Sequence, residues 1–79
     1  MPKIKRPPPR LMEHLVQRFR DGRISVADFD ELRDWLNSDP EVPQGEWYKR
    51  FPKFTLAGEG ELPKTFLKPE MVPHGKEVR

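Results

Sequence analysis

The segment Phe19-Arg20-Asp21-Gly22-Arg23-Ile24-Ser25-Val26-Ala27-Asp28-Phe29 encodes a helix stop, a tight turn and a new helix start. Gly22 suits the left-handed residue that closes a helix, and Arg18 and Arg20 suit the negative end of the helix dipole. Ser25 is an N-cap with Asp28 at the capping-box spacing, and Ile24 and Phe29 are spaced as a hydrophobic staple. The N-terminal half must therefore fold back on itself as two helices.

Apolar periodicity extends this reading. Leu11, Met12, Leu15, Val16 and Phe19 form one stripe on a first helix from about Pro9 to Asp21, with proline tolerated in its first turn. Val26, Phe29, Leu32, Trp35 and Leu36 form the expected buried face of the second, which Asn37-Ser38-Asp39-Pro40 stops. Beyond Gly45 the pattern changes. Phe51–Leu56 and Leu62–Leu67 read as strands around the turn Ala57-Gly58-Glu59-Gly60-Glu61, whose glycines can hold positive φ. Pro52 and Pro63 lack a ladder donor and belong at edges or strand starts. Two strands alone are marginal, so the hairpin must pack on the helices or pair with something else.

The expected fold is α+β: a helical hairpin packed against a short antiparallel β-hairpin. The expected divisions are a flexible, basic, proline-rich arm (1–8), one domain (9–68) and a loosely ordered tail (69–79). A chain of 79 residues buries only about 60% of its unfolded surface, so the core is small. Cysteine is absent, which removes disulfides, thiolate catalysis and cysteine metal sites and points to a cytoplasmic setting. No apolar run approaches the ~18 residues of a membrane span, and the opening residues lack the apolar region of a signal peptide.

Charge is segregated. Residues 1–10 carry +4, residues 11–40 carry −3 and residues 41–79 carry +1. The basic arm, with Lys3, Lys5, Arg6 and Arg10, is a candidate contact for a polyanion. Trp47-Tyr48-Lys49-Arg50-Phe51-Pro52-Lys53-Phe54 interleaves aromatics with bases, the composition of a surface where bases stack on rings and cations meet phosphates. The competing reading is that these rings seal the core while lysine stems cover its rim.

Several activities are disfavoured. Asp21–Phe29 resembles the second half of an EF-hand loop, but its first and third positions would be Gln17 and Phe19, which offer no hard oxygen ligand of the required kind. A DNA-reading second helix would present Asp28, Asp30, Glu31 and Asp34 to phosphates. His14 and His74 have no ligand partners at metal-site spacing. The proline runs at 6–10 and 40–43 are explained by a stiff linker and a helix stop.

Two partial resemblances remain. Leu15–Leu36, with Gly22-Arg23-Ile24-Ser25 followed by Asp28-Phe29, resembles the helical hairpin of the short C-terminal domain called SHOCT, in which a Glu stands where this chain has Asp28. That likeness implies an interaction hairpin. The tail from Met71 to Arg79 resembles the closing strand of RelE/ParE-type toxins, where a His followed by bases ends the chain. It implies a ribonuclease assembled from Tyr48, Lys49, Arg50, His74, Lys76 and Arg79. The residues favour a non-catalytic binding or adaptor module without metal, cofactor or membrane. Its expected partner is nucleic acid (RNA or single-stranded DNA) or a protein. The contact residues would be Lys3, Lys5, Arg6, Arg10, Trp47, Tyr48, Lys49, Arg50 and Lys53, with the toxin-type ribonuclease as the alternative.

Overall fold

Both helices form where the turn signals place them. In the computed structural model, which describes residues 3–79, α1 spans Pro9–Arg20 and α2 spans Val26–Asn37. At the end of α1, Gly22 takes φ 75°. The Gly22 N–H donates to Phe19 O at 3.1 Å and the Arg23 N–H to Arg18 O at 2.9 Å. This reciprocal pair satisfies carbonyls that the helix end leaves free. At the start of α2, Asp28 Oδ2 accepts from the Ser25 backbone N–H at 2.7 Å and from its hydroxyl at 3.1 Å. These bonds compensate the burial of the Asp28 side chain.

The strands form a larger sheet than a hairpin. They are β1 (Glu46–Arg50), β2 (Thr55–Glu59), β3 (Leu62–Leu67) and β4 (Lys76–Val78), in the order β3-β2-β1-β4. β2 pairs antiparallel with β1 and β3, and β4 lies parallel to β1. The segment expected as the first strand splits. Pro52 cannot donate to a ladder, so Phe51–Phe54 becomes the turn between β1 and β2, closed by the Phe51 N–H donating to Phe54 O at 2.8 Å. The strand that precedes it carries Trp47 and Tyr48. The second turn is tighter than expected, with Gly60 at φ 58°. Gly58 sits in β2, beside a register shift at Ala57/Gly58. Its role is close approach, since a Cβ there would stand 2.5 Å from Trp47 Cζ2 and 2.6 Å from Leu62 O.

The core lies between the helices and one face of the sheet. Leu11, Leu15, Ile24, Leu32 and Val42 meet Trp47, Phe54, Leu56 and Phe66. Rings run from Trp35 through Trp47 (6.2 Å) and Phe51 (6.0 Å), then Phe51–Phe54 (4.9 Å) and Phe54–Phe66 (5.3 Å). Phe19 and Phe29 join the helices edge to face at 5.5 Å. The expected stripes are only partly buried. Val16, Phe19 and Val26 are exposed, Val26 because it lies six residues before Leu32, roughly 120° away around a helix of about 3.6 residues per turn.

Residues 1–2 of the expected arm lie outside the described residues. The following residues run beside the body: Lys3 bridges Glu41, the Ile4 N–H donates to Pro40 O and the Lys5 N–H to Glu61 O at 2.8 Å. Within the segment expected as a loose tail, Lys76–Val78 is β4. Because β3 and β4 share a direction with two strands between them, Lys68–Gly75 must cross the sheet. His74 lines a cavity with Glu46, Ala57, Thr65 and Leu67, so the crossing passes over the face opposite the helices.

Candidate functional site

Strand direction organises the charged groups. β1, β3 and β4 all run the same way, and each reaches a cation at its far end. Arg50 ends β1, Lys68 follows Leu67 of β3 and Arg79 follows Val78 of β4. Arg50 stands opposite Thr55, which stands opposite Leu67, so this is one rung of the sheet. Lys53 extends from the β1–β2 turn beyond the same rung. At the opposite end lie Glu46, Glu59 and Glu61.

The helical hairpin adds to the basic end. Arg18 from the last turns of α1 and Arg23 from the interhelical turn line a recess of about 370 Å³ with Lys53, Lys68, Pro69 and Glu70. Arg18 Nη2 donates to Phe66 O at 2.8 Å, tying α1 to β3, whereas Arg18 Nη1 is buried without an acceptor. Burial pulls the Arg18 guanidinium below its ordinary pKa, the like charge of Arg23 adds to this, and Glu70 opposes both. Among the described residues, ion pairs form at Lys3, Lys5, Arg33 and Lys64, and none involves Arg18, Arg23, Arg50, Lys53 or Lys68.

The residues expected at the site separate into four places. Trp47 is wholly buried, and its Nε1 donates to Gly60 O at 2.7 Å. The expectation that it stacks on an external base is therefore wrong: its position in β1 points it at the helices, where the small core needs a large ring. Tyr48 points to the other face, half-buried, with the Arg50 guanidinium 5.4 Å from its ring centre and its hydroxyl 3.5 Å from Glu77 Oε1. Lys49 returns to the core side and lays its ammonium 5.6 Å from the Phe51 ring centre. Arg50 and Lys53 are exposed at the basic end.

The arm lies elsewhere. Lys3 pairs with Asp39 at 2.6 Å and Lys5 with Glu61 at 3.1 Å. The hydrogen bond that Lys3 donates to Asp39 raises the pKa of Lys3. Arg6 borders a groove beside Met12, Phe29 and Asp30, and Arg10 is exposed at the start of α1. The length of β2 separates Glu61 from the β1–β2 turn, roughly 17 Å for five residues at ~3.3 Å each. The structure thus joins Arg50 and Lys53 to three cations outside the contact set expected from the sequence: Arg18, Arg23 and Lys68. Arg18 read as a dipole partner, and no local signal shows that the end of α1 meets the turn after β1.

His74 and Arg50 are not brought together. Gly75 packs against the Glu46 backbone at the start of β1, while Arg50 ends it, roughly 13 Å away at ~3.3 Å per residue. Among the described residues no cluster of His, Cys, Asp and Glu could hold a metal ion, and no helix is long and apolar enough to cross a membrane. Comparison with protein-family models, curated proteins and solved structures finds no match. The two partial resemblances stay with the residues that carry them.

Proposed function

We propose that the protein is a non-catalytic module whose basic end binds single-stranded nucleic acid, RNA or DNA. One observation carries the reading: three strands sharing a direction and the helical hairpin deliver unpaired cations to one end, whereas Lys3, Lys5 and Lys64 elsewhere are each paired with a carboxylate. Tyr48 beneath Arg50 adds an aromatic face beside these charges. Cations meet the backbone while a ring tolerates any base, which is how sequence-indifferent single-strand binding works.

Fluorescence anisotropy with labelled RNA and DNA strands tests it. Four phosphate contacts, from Arg50, Lys53, Lys68 and Arg79, give a slope of about −2.8 in log K against log salt. That is about a 50-fold loss between roughly 50 and 200 mM salt. Lys53→Ala and Lys68→Ala each flatten the slope by ~0.7. No binding at the lower salt, or a slope unchanged in both variants, refutes the proposal.

A further inference from the structure

The recess at the basic end is built more specifically than general attraction to a strand requires. Arg18 lines the recess and is fixed through Nη2 on the Phe66 carbonyl at 2.8 Å, while its Nη1 is buried without an acceptor. A guanidinium held in place brings its charge to the recess wall already ordered, and contacts between such charges and an oxyanion are strong. Arg23, Lys53 and Lys68 surround the same recess, and Glu70 is the one carboxylate lining it.

The charge and donor counts select the ligand. Four cations and one carboxylate leave a local charge of +3. A phosphate monoester carries about −1.5 to −2 near neutrality with three free oxygens. A backbone diester offers a single negative charge and two. The monoester therefore answers more of the donors. At about 370 Å³ the recess lies at the small end of ligand cavities, with room for the phosphate and the sugar that bears it.

We infer that this recess seats a terminal phosphate monoester, the phosphorylated end of the bound strand, on Arg18, Arg23, Lys53 and Lys68. The inference deepens the nucleic-acid reading and rests on it for the source of the phosphate. Arg23, Lys53 and Lys68 supply exposed charge, and the Arg18 guanidinium, tied to the Phe66 carbonyl, adds a fixed charge to the lining.

The experiment compares the intact chain's affinity for strands of about ten nucleotides ending in a 5′-phosphate, a 3′-phosphate or hydroxyls only. Inorganic phosphate serves as a competing probe, and two-dimensional NMR follows the Arg18, Lys53 and Lys68 signals. One phosphorylated end is expected to bind about tenfold tighter than the hydroxyl-ended strand. Inorganic phosphate is expected to displace it and to shift the Arg18 side-chain signal. The Lys53→Ala/Lys68→Ala double variant, altered only at exposed positions, should abolish the end preference while keeping wild-type NMR dispersion. Salt-dependent binding with no end preference overturns the recess and leaves the nucleic-acid reading standing. Inorganic phosphate shifting Arg18 while no strand binds leaves the phosphate site standing and overturns the nucleic-acid reading.

Discussion

Gly58→Ala probes the contact on which the core turns. A Cβ built at Gly58 would stand 2.5 Å and 2.8 Å from two atoms of the Trp47 indole and 2.6 Å from the Leu62 carbonyl oxygen. None of these neighbours yields easily. Trp47 is fully buried and held by its Nε1 bond to Gly60 O at 2.7 Å, and Leu62 O belongs to the strand paired with Glu59. Overpacking of this kind costs about 1–3 kcal/mol. If the indole shifts to relieve it, the buried N–H loses its acceptor at a further cost of about 1–3 kcal/mol. We expect a loss of about 3 kcal/mol from a total of roughly 4–12 kcal/mol for a chain of this size. Thermal unfolding followed by circular dichroism should show a midpoint lowered by roughly 12–24 °C, given ~4–8 °C per kcal/mol in small domains. Gly45→Ala is the control, because nothing lies within 4 Å of a Cβ there. If Gly58→Ala unfolds within about 0.5 kcal/mol of the Gly45→Ala control, the indole does not lie against the β2 backbone and the burial of Trp47 is wrong.

Two further outcomes follow from single contacts. Asp28→Ala removes the acceptor of both Ser25 bonds and should lower stability by about 1–2 kcal/mol in urea unfolding; Ser25→Ala, which spares the 2.7 Å backbone bond, should cost less. Lys5→Ala breaks an ion pair between half-exposed side chains and should change stability by no more than about 0.5 kcal/mol. A loss above ~1.5 kcal/mol in the same assay would show that the pair carries far more than exposed pairs do.

The helices were legible because their signals are local. A glycine closing one helix and a Ser–Asp pair opening the next act within a few residues, and the structure uses each as read. The sheet was half legible. Leu62–Leu67 stands as expected, but β1 was hidden inside a segment that reads equally well as an aromatic-basic surface, and β4 is only three residues long. Composition could not decide which way Trp47 points; its position in β1 relative to the helices does. The site was least legible. Lys53 was within reach of sequence reasoning, but Arg18 and Lys68 are fifty residues apart in the chain, and only the docking of α1 against β3 brings them together.

Gathering like charges works against folding, and that cost is what makes the basic end informative. Burial disfavours the charge of Arg18, and the like charge of Arg23 adds to this. A chain selected for stability alone would place carboxylates among them, as it does beside Lys3, Lys5 and Lys64. Acids are not scarce here: the sequence carries 13 against 15 lysines and arginines. The helices, the caps and the core obey their local rules, and the recess departs from them with an unsatisfied guanidinium nitrogen and one carboxylate among four cations. Departures of this kind concentrate where a site awaits its ligand. An arriving anion would relieve the repulsion among these cations, so binding should also stabilise the fold.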